Sequence, residues 1–133
     1  MEKIEEALNC SDLIVRCMRS LDARQYDEVA ACFAQNGIWE RGGQKLEGPQ
    51  AVRAALDKRP ADLQTQHLVS NMTLDEETDG LVTAEYSVAA YAQRGHAPFE
   101  LHAIFRAKDR LIKEPAGWRF ILRTVTPAFA VHG

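Results

Sequence analysis

Two ionisable residues, Asp22 and His67, lie within patterns typical of a helix and a β-strand that pack on a core. Asp22 stands four residues after Met18 and seven after Val15, so it continues an apolar helical stripe at the C-terminal end of a helix. A buried carboxylate without a partner is costly, and a helix C-terminus disfavours negative charge, so Asp22 is expected to have a compensating partner. The alternatives are that Asp22 caps the following helix in "LDARQYDEV" or lies in solvent.

His67 lies in the stretch "LQTQHLVSNMTL", which alternates as a β-strand does. One strand face would carry Thr65, His67, Val69, Asn71 and Thr73, and the other face would carry Leu68, Met72 and Leu74. The face of His67 is therefore semi-polar, which fits a pocket wall, a solvated face or a structural histidine. In a pocket, the imidazole could act as a general acid or base.

The other ionisable candidates show weaker patterns. Asp109, in "FRAKDRLIK", falls where the strand alternation falters, which favours a solvated bulge or turn. Arg123, in "WRFILRTV", is typical of an exposed strand arginine. His102, in "FELHAIF", fits a pocket wall or a subunit interface, and His96 falls in a predicted turn.

Several functional classes are excluded by missing motifs. The sequence has no G-x-S-x-G, P-loop, G-x-G-x-x-G or H-E-x-x-H pattern. Cys10, Cys17 and Cys32 lack metal-ligand spacing, and their odd number predicts free thiols inside helices with no metal site. Any catalysis is therefore expected to be acid/base chemistry without a cofactor.

Composition narrows the partners and the location. The 133 residues suit one domain, 1–133, and the formal charge of −3 without a basic cluster argues against nucleic-acid binding. No apolar run reaches the ~18 residues of a membrane span. The acidic start "MEKIEEALNCSD" is unlike a signal peptide, so a cytoplasmic protein with no membrane partner is expected.

Helical patterns fill the first half of the chain. The first helix runs over 4–21, either unbroken or with a break near "NCSD". Its predicted apolar stripe consists of Ile4, Ala7, Leu8, Ile14, Val15, Met18 and Leu21. A second helix follows whose apolar positions reach Phe33. "NG" at 36–37 is its predicted stop. A hairpin turning at 42–43 and a third helix that starts at Pro49 complete this half.

Four long β-like segments fill the second half, at about 64–75, 81–94, 98–113 and 117–127. Their breaks at 76–80, 93–98 and 113–117 have the composition of hairpin turns. Helices gathered first and strands gathered last predict an α+β fold, with a curved antiparallel sheet carrying helices on one face.

Four segments in this order carry a family resemblance: "SLDARQYDEVAACFAQNGIWE", "LEGPQAVRAAL", "TQHLVSNM" and "AGWRFILRTV". From about 10 to 127 the chain resembles the SnoaL-like branch of the nuclear transport factor 2 (NTF2-like) superfamily. The resemblance implies an α+β cone, in which helices pack on a strongly curved antiparallel sheet around an apolar pocket.

The resemblance also implies site residues. In the branch similar to scytalone and bile-acid dehydratases, an aspartate ending helix one and a histidine opening the third strand form a pocket dyad, which here would be Asp22 and His67. The helix-one tyrosine of those relatives is missing from "RCMRSLD". Tyr26, Tyr86 and Tyr91 are candidate substitutes, and the second-rank pocket candidates are Cys17, Met18, Trp39, Asn71, His102, Asp109 and Arg123.

Two functional hypotheses follow. In the first, Asp22 orients His67, which removes a proton next to a carbonyl, as in a cofactor-independent isomerase, cyclase or dehydratase acting on a small cyclic or polycyclic ketone-like molecule. In the second, the chain is a non-catalytic ligand-binding or dimerisation module. A homodimer through the outer sheet face is expected, since "VTAEYSVAAYAQ" and "ELHAIF" supply small and apolar residues.

Overall fold

A computed structural model describes residues 2–130 and confirms the α+β fold class. Three helices and two short strands occupy the first half of the described chain, and four long strands follow. In chain order the elements are α1 (Glu2–Asp22), α2 (Tyr26–Ala31), β1 (Phe33–Arg41), β2 (Gln44–Glu47), α3 (Pro49–Leu56), β3 (Leu63–Thr78), β4 (Leu81–Arg94), β5 (Glu100–Glu114) and β6 (Gly117–Ala130).

The six strands form one curved sheet in the order β2-β1-β6-β5-β4-β3, which does not close into a barrel. All neighbouring strands are antiparallel except β1 and β6, which run parallel, so the sheet is mixed rather than wholly antiparallel as predicted. Hairpin turns impose antiparallel pairing on strands adjacent in sequence. No hairpin links β1 to β6, so their relative direction has no local sequence signal.

Helix α1 is unbroken, and its buried face differs from the predicted one. The buried positions recur every three or four residues, and they are Cys10, Ile14, Cys17, Met18 and Leu21. Ile4, Leu8 and Val15, which were predicted to belong to the stripe, are exposed. The cysteines behave here as small hydrophobic residues, which moves the buried face around the helix.

The boundary between α2 and β1 also differs from the prediction. Helix α2 ends at Ala31, and Phe33 already belongs to the strand. Gly37 lies inside β1 at a register shift, where a Cβ atom would come within 2.5 Å of the Phe120 carbonyl oxygen. Gly37 therefore permits close approach of β1 to β6 rather than stopping a helix.

The predicted hairpin turn at 42–43 is confirmed, with φ of +52° at Gly42 and +76° at Gly43. Pro49 is the first residue of α3, as predicted. The three cysteines are free and buried, which confirms the prediction of free thiols, although Cys32 follows α2 as its C-cap. None of the helices within 2–130 is long and apolar enough to cross a membrane.

Two β-bulges decide which side chains face the helices. In β3 the register shifts between Ser70 and Thr73, and Asn71 adopts a φ of +54°. Beyond this bulge Met72 and Leu74 become the partly buried positions, while Asn71 and Thr73 are exposed. Asn71 and Thr73 therefore do not share the face of His67, contrary to the strict alternation expected from the sequence.

The second bulge lies in β6 at Ile121, where the pairing with β5 skips one residue. Phe120 and Arg123 are both buried, three positions apart, because the bulge reverses the alternation between them. Arg123 is 1% exposed, so the expectation of an exposed strand arginine is wrong.

Candidate functional site

Asp22 and His67 meet where the C-terminal end of α1 packs against β3. The imidazole Nδ1 lies 2.5 Å from Asp22 Oδ1, and the backbone N–H of His67 donates to Asp22 Oδ2 at 2.9 Å. Their side chains are 13% and 15% exposed, respectively. Asp22 does not cap α2, because the N-cap residue is Gln25 and no side chain caps that helix.

Asp22 is held as a carboxylate despite its burial. Burial acts to raise its pKa, but the hydrogen bonds from the His67 ring, the His67 backbone and Thr65 together lower the pKa below its usual value. An ionised carboxylate accepts hydrogen bonds only, so Nδ1 of His67 carries the proton. In the tautomer with its proton on Nδ1, the lone pair of the imidazole lies on Nε2, which is the basic nitrogen.

A polar shell fixes this pair in place. The Thr65 hydroxyl donates to Asp22 Oδ1 at 2.8 Å and accepts from Arg59 Nη2 at 3.1 Å. Arg59 also donates to the Tyr26 hydroxyl at 3.1 Å and to the Leu21 carbonyl at 3.3 Å. The end of α1 is thereby tied to β3, and side chains oriented in this way lose less freedom during a reaction.

His67 lines a cavity of about 200 Å³ between the helices and the inner face of the sheet. Most of the lining is apolar, with a few cationic side chains, which is typical of small-molecule sites. The lining residues are Met18, Leu21, Trp39, Arg41, Arg59, His67, Val88, Phe105, Arg123 and Val125. The protein thus contains a pocket with a histidine in its wall.

A buried polar network lies behind the cavity. Arg123 Nε is 3.8 Å from Asp109 Oδ1, and the Tyr86 hydroxyl donates to Asp109 Oδ2 at 2.6 Å and accepts from Arg123 at 3.3 Å. Asp109 is fully buried inside β5, so the predicted solvated bulge or turn is wrong. Ala107 and Leu111, two residues before and after Asp109, are also buried. Asp109 can be buried between them because Tyr86 and Arg123, on other strands, interact with its carboxylate.

Burial raises the pKa of Asp109 to about 6, which outweighs the charge of Arg123 and the hydrogen bond from Tyr86. Burial likewise raises the pKa of Tyr86 well above its usual range. Asp109 Oδ1 and Arg123 Nε have no hydrogen-bond partner within residues 2–130, so the ion pair is only partly satisfied.

Arg123 also contacts the part of α1 where the dehydratase-like tyrosine is missing. Its guanidinium donates to Cys17 Sγ at 3.0 Å and to Met18 Sδ at 3.6 Å, and lies 5.2 Å from the Trp39 ring centroid. A hydrogen bond with Cys32, and then the charge of Arg123, lower the pKa of Cys17 to about 7 against the effect of burial. The guanidinium of Arg123 therefore contacts the sulfur atoms of Cys17 and Met18 at the position of the missing tyrosine.

The second-rank candidates divide into three groups. Met18, Trp39 and Arg123 line the cavity, while Cys17 and Asp109 are buried behind Arg123. Asn71 and His102 are exposed and do not line the cavity of His67. Each lies at a bulge, Asn71 in β3 and His102 in β5, and a bulge turns a side chain away from the face that alternation predicts.

Sequence reasoning missed two cavity arginines. Arg41 stands two residues after Trp39 in β1, so their shared face was available as a signal. Arg59 lies between α3 and β3, where no periodic pattern indicates its direction. Within residues 2–130, no group of three His, Cys, Asp or Glu side chains is arranged to hold a metal ion.

Known proteins resemble the chain in sequence family and in fold. The SnoaL-like domain family matches residues 2–124. A candidate scytalone dehydratase from Novosphingobium aromaticivorans has a TM-score of 0.89 at 17% identity, covering 98% of this chain and 89% of its own. A variant of Rv3472 from Mycobacterium tuberculosis, of unknown function, has a TM-score of 0.86 at 21% identity, with coverages of 95% and 78%.

An NTF2-like protein with a cystatin-like fold, also from Novosphingobium aromaticivorans, has a TM-score of 0.83 at 20% identity, covering 99% of this chain and 86% of its own. No curated protein sequence matches the chain significantly. At these identities the similarity of the solved structures establishes a shared NTF2-like architecture, and the reaction has to be argued from the site.

Proposed function

Since this chain belongs to the SnoaL-like family, we propose that it is a cofactor-independent acid/base enzyme of the isomerase, cyclase or dehydratase type. Its substrate would be a small cyclic or polycyclic ketone-like molecule held in the cavity. One observation carries the proposal: His67 lines the cavity while its Nδ1 lies 2.5 Å from the Asp22 carboxylate. That arrangement leaves Nε2 as a base oriented by a carboxylate.

In the proposed reaction, Nε2 of His67 removes a proton from the carbon next to the substrate carbonyl. Asp22 stabilises the imidazolium that forms and keeps the ring in one tautomer. Negative charge then develops on the carbonyl oxygen, and the cationic side chains of the cavity stabilise it. General acid/base catalysis contributes about 10²–10⁴-fold, so the substrate must have an activated C–H bond.

The fate of the enolate separates the three reaction types. Return of the proton from His67 to another carbon gives isomerisation. Attack of the enolate on a second carbonyl, with the proton passing to the new alkoxide, gives cyclisation. Expulsion of a β-hydroxyl group, which takes the proton and leaves as water, gives dehydration. Arginine guanidinium groups stay protonated, so Arg59 and Arg123 stabilise an oxyanion without delivering a proton. Together with the missing helix-one tyrosine, this favours isomerisation or cyclisation over dehydration.

Proton exchange tests the proposal without knowledge of the natural substrate. Wild-type protein in D₂O should accelerate the exchange of the α-protons of 2-tetralone, followed by ¹H NMR. His67→Ala should lower the rate by about 100-fold or more, with a melting temperature within a few degrees of wild type. Asp22→Asn should lower it as well, because the neutral amide cannot stabilise the imidazolium and its NH₂ group can donate to Nδ1, which favours the wrong tautomer.

His96→Ala is the matched control, since His96 is an exposed histidine in the β4–β5 turn and should leave the rate unchanged. Wild-type exchange rates in His67→Ala would contradict the proposal. Binding of 2-tetralone without accelerated exchange would instead favour the non-catalytic ligand-binding module.

The proposed assembly is a homodimer through the outer sheet face. On that face Leu68, Ala89, Ile104 and Phe129 are consecutive Cα partners across β3, β4, β5 and β6. Leu68 is 48% exposed and Phe129 is 64% exposed. An apolar row that crosses four strands supports pairing with a second copy of the chain.

A further inference from the structure

The cationic side chains of the cavity differ in how their charges are balanced. Arg123 faces the buried Asp109 at 3.8 Å. Arg59 is linked to Asp22 through the Thr65 hydroxyl, which accepts from Arg59 and donates to Asp22. Arg41 makes no ion pair with a carboxylate in the described part of the chain.

Arg41 is positioned in the cavity wall by an aromatic contact rather than by a carboxylate. Its guanidinium carbon lies 4.8 Å from the ring centroid of Trp39, which lines the same cavity. The preceding residue, Glu40, is paired with Lys45 at 3.4 Å across the β1–β2 hairpin and makes no ion pair with Arg41. Burial, and then the positive charge of Arg59, lower the pKa of Arg41, as expected for a guanidinium without a carboxylate beside it in the described part of the chain.

Arg41 also lies at a boundary. Together with Val125 it lines both the cavity of His67 and a neighbouring hollow of about 300 Å³ beside the β1–β2 turn. A ligand whose charged end stays at this boundary can place its ring among Met18, Val88 and Phe105. That separation of a charged end from an apolar body avoids burying the charge completely.

From this arrangement we infer that the cavity takes cyclic substrates carrying a carboxylate, and that Arg41 is the residue that pairs with that carboxylate. The planar fork of arginine matches a carboxylate through two parallel hydrogen bonds. The inference rests on the proposed function for the assignment of this cavity as the substrate site. It adds a substrate class and a specificity residue separate from the Asp22–His67 pair.

Equilibrium binding of a matched pair of probes tests the inference. 2-Naphthoate and 2-naphthamide have the same ring system and differ in charge, and isothermal titration calorimetry measures both dissociation constants. Wild-type protein should bind naphthoate about tenfold or more tightly than naphthamide, as expected for a hydrogen-bonded charge pair. Arg41→Gln should reduce this preference to within about twofold, and Arg41→Lys should retain part of it.

Arg106→Gln is the control, because Arg106 is exposed on the outer side of β5 and its loss changes the net charge equally. A second measurement does not depend on the folding of a variant: in the wild-type protein, the ¹⁵N–¹H signal of Arg41 Nε should shift on adding naphthoate and not on adding naphthamide. Equal affinity of wild type for both probes, or an unchanged preference in Arg41→Gln, overturns the inference.

The outcomes for the two proposals can be separated. His67→Ala should keep the preference for naphthoate while losing the exchange of 2-tetralone protons. A preference that depends on Arg41 in a protein without exchange activity would retain the carboxylate site and remove the catalytic proposal. Exchange activity that depends on His67, without any preference for naphthoate, would retain the catalytic proposal and remove the carboxylate site.

Discussion

At the level of single residues, Asp109 and Arg123 form a buried ion pair whose facing atoms are incompletely satisfied. Their closest approach is 3.8 Å, and the two facing atoms, Asp109 Oδ1 and Arg123 Nε, lack hydrogen bonds within residues 2–130. A buried pair in this geometry recovers only part of the free energy lost on leaving water. The raised pKa of Asp109, about 6, expresses the same imbalance.

This imbalance predicts an unusual dependence of stability on pH. The folded pKa of Asp109 is about 6 against an ordinary value of 3.8, so the unfolded chain loses the proton first as pH rises. Stability is therefore lost as pH rises from about 4 to 6, by roughly 3 kcal/mol from this residue. In urea unfolding, the stability of wild type relative to Asp109→Asn should fall by about that amount between pH 4 and 7.

Asp109→Asn is a suitable reference because the amide oxygen can still accept from the Tyr86 hydroxyl and carries no charge. A stability difference that is constant over this pH range would show that Asp109 has no raised pKa in the folded protein. The opposite slope, with wild type gaining stability as pH rises, would indicate that Arg123 dominates over burial.

At the level of elements, the bulge in β3 lets one strand keep His67 and the later apolar residues on the same face. Asn71 absorbs the extra residue with a φ of +54°, in the left-handed region. Asparagine and glycine tolerate this region, whereas a β-branched residue does not. The identity of residue 71 therefore matters for the backbone rather than for the pocket.

Substitutions at this bulge should separate backbone strain from other effects. Asn71→Gly should leave the free energy of unfolding nearly unchanged, and Asn71→Val should lower it by about 1–2 kcal/mol, measured by urea unfolding. Thr73→Val is the control, because Thr73 is an exposed neighbour in the same strand and its φ is not positive. Equal stability of Asn71→Val and wild type would mean that the bulge relaxes without strain.

Elements whose signals are local were predictable from the sequence. Glycine at 42–43 and Pro49 mark a hairpin and a helix start that depend on a few neighbouring residues, and both are confirmed. The close approach at Gly37, the bulges in β3 and β6 and the parallel β1–β6 pair depend on contacts between distant segments. No pattern within one segment contains that information.

The candidate site likewise contains residues that the sequence could identify and residues that it could not. Asp22 could be singled out because it continues an apolar helical stripe, and His67 because it lies on the semi-polar face of a predicted strand. Arg123 was expected in solvent because the bulge before it is invisible in the sequence. Arg59 enters the cavity from a segment between α3 and β3 that carries no periodicity at all.

At the level of the whole molecule, the two faces of the sheet have different surroundings. The inner face packs against the helices and forms most of the core. The outer face has no helix over it among the described elements, and it carries the apolar row of Leu68, Ala89, Ile104 and Phe129. Exposed apolar side chains that are aligned across strands are a common basis for symmetric association.

A homodimer through this row predicts a mass near twice the 14.9 kDa of one chain in size-exclusion chromatography with light scattering. Leu68→Asp and Ile104→Asp should each give a monomer, since a carboxylate opposite the apolar row of a second copy would be buried without a partner.

Ile4→Asp is the control: Ile4 is 66% exposed on α1, away from the sheet, and its substitution should leave the dimer intact. A monomeric wild-type protein, or a dimer that survives Leu68→Asp, would place the association elsewhere or exclude it. Because the row lies on the side of the sheet opposite His67, the monomeric variants should keep their α-proton exchange activity, which separates assembly from chemistry.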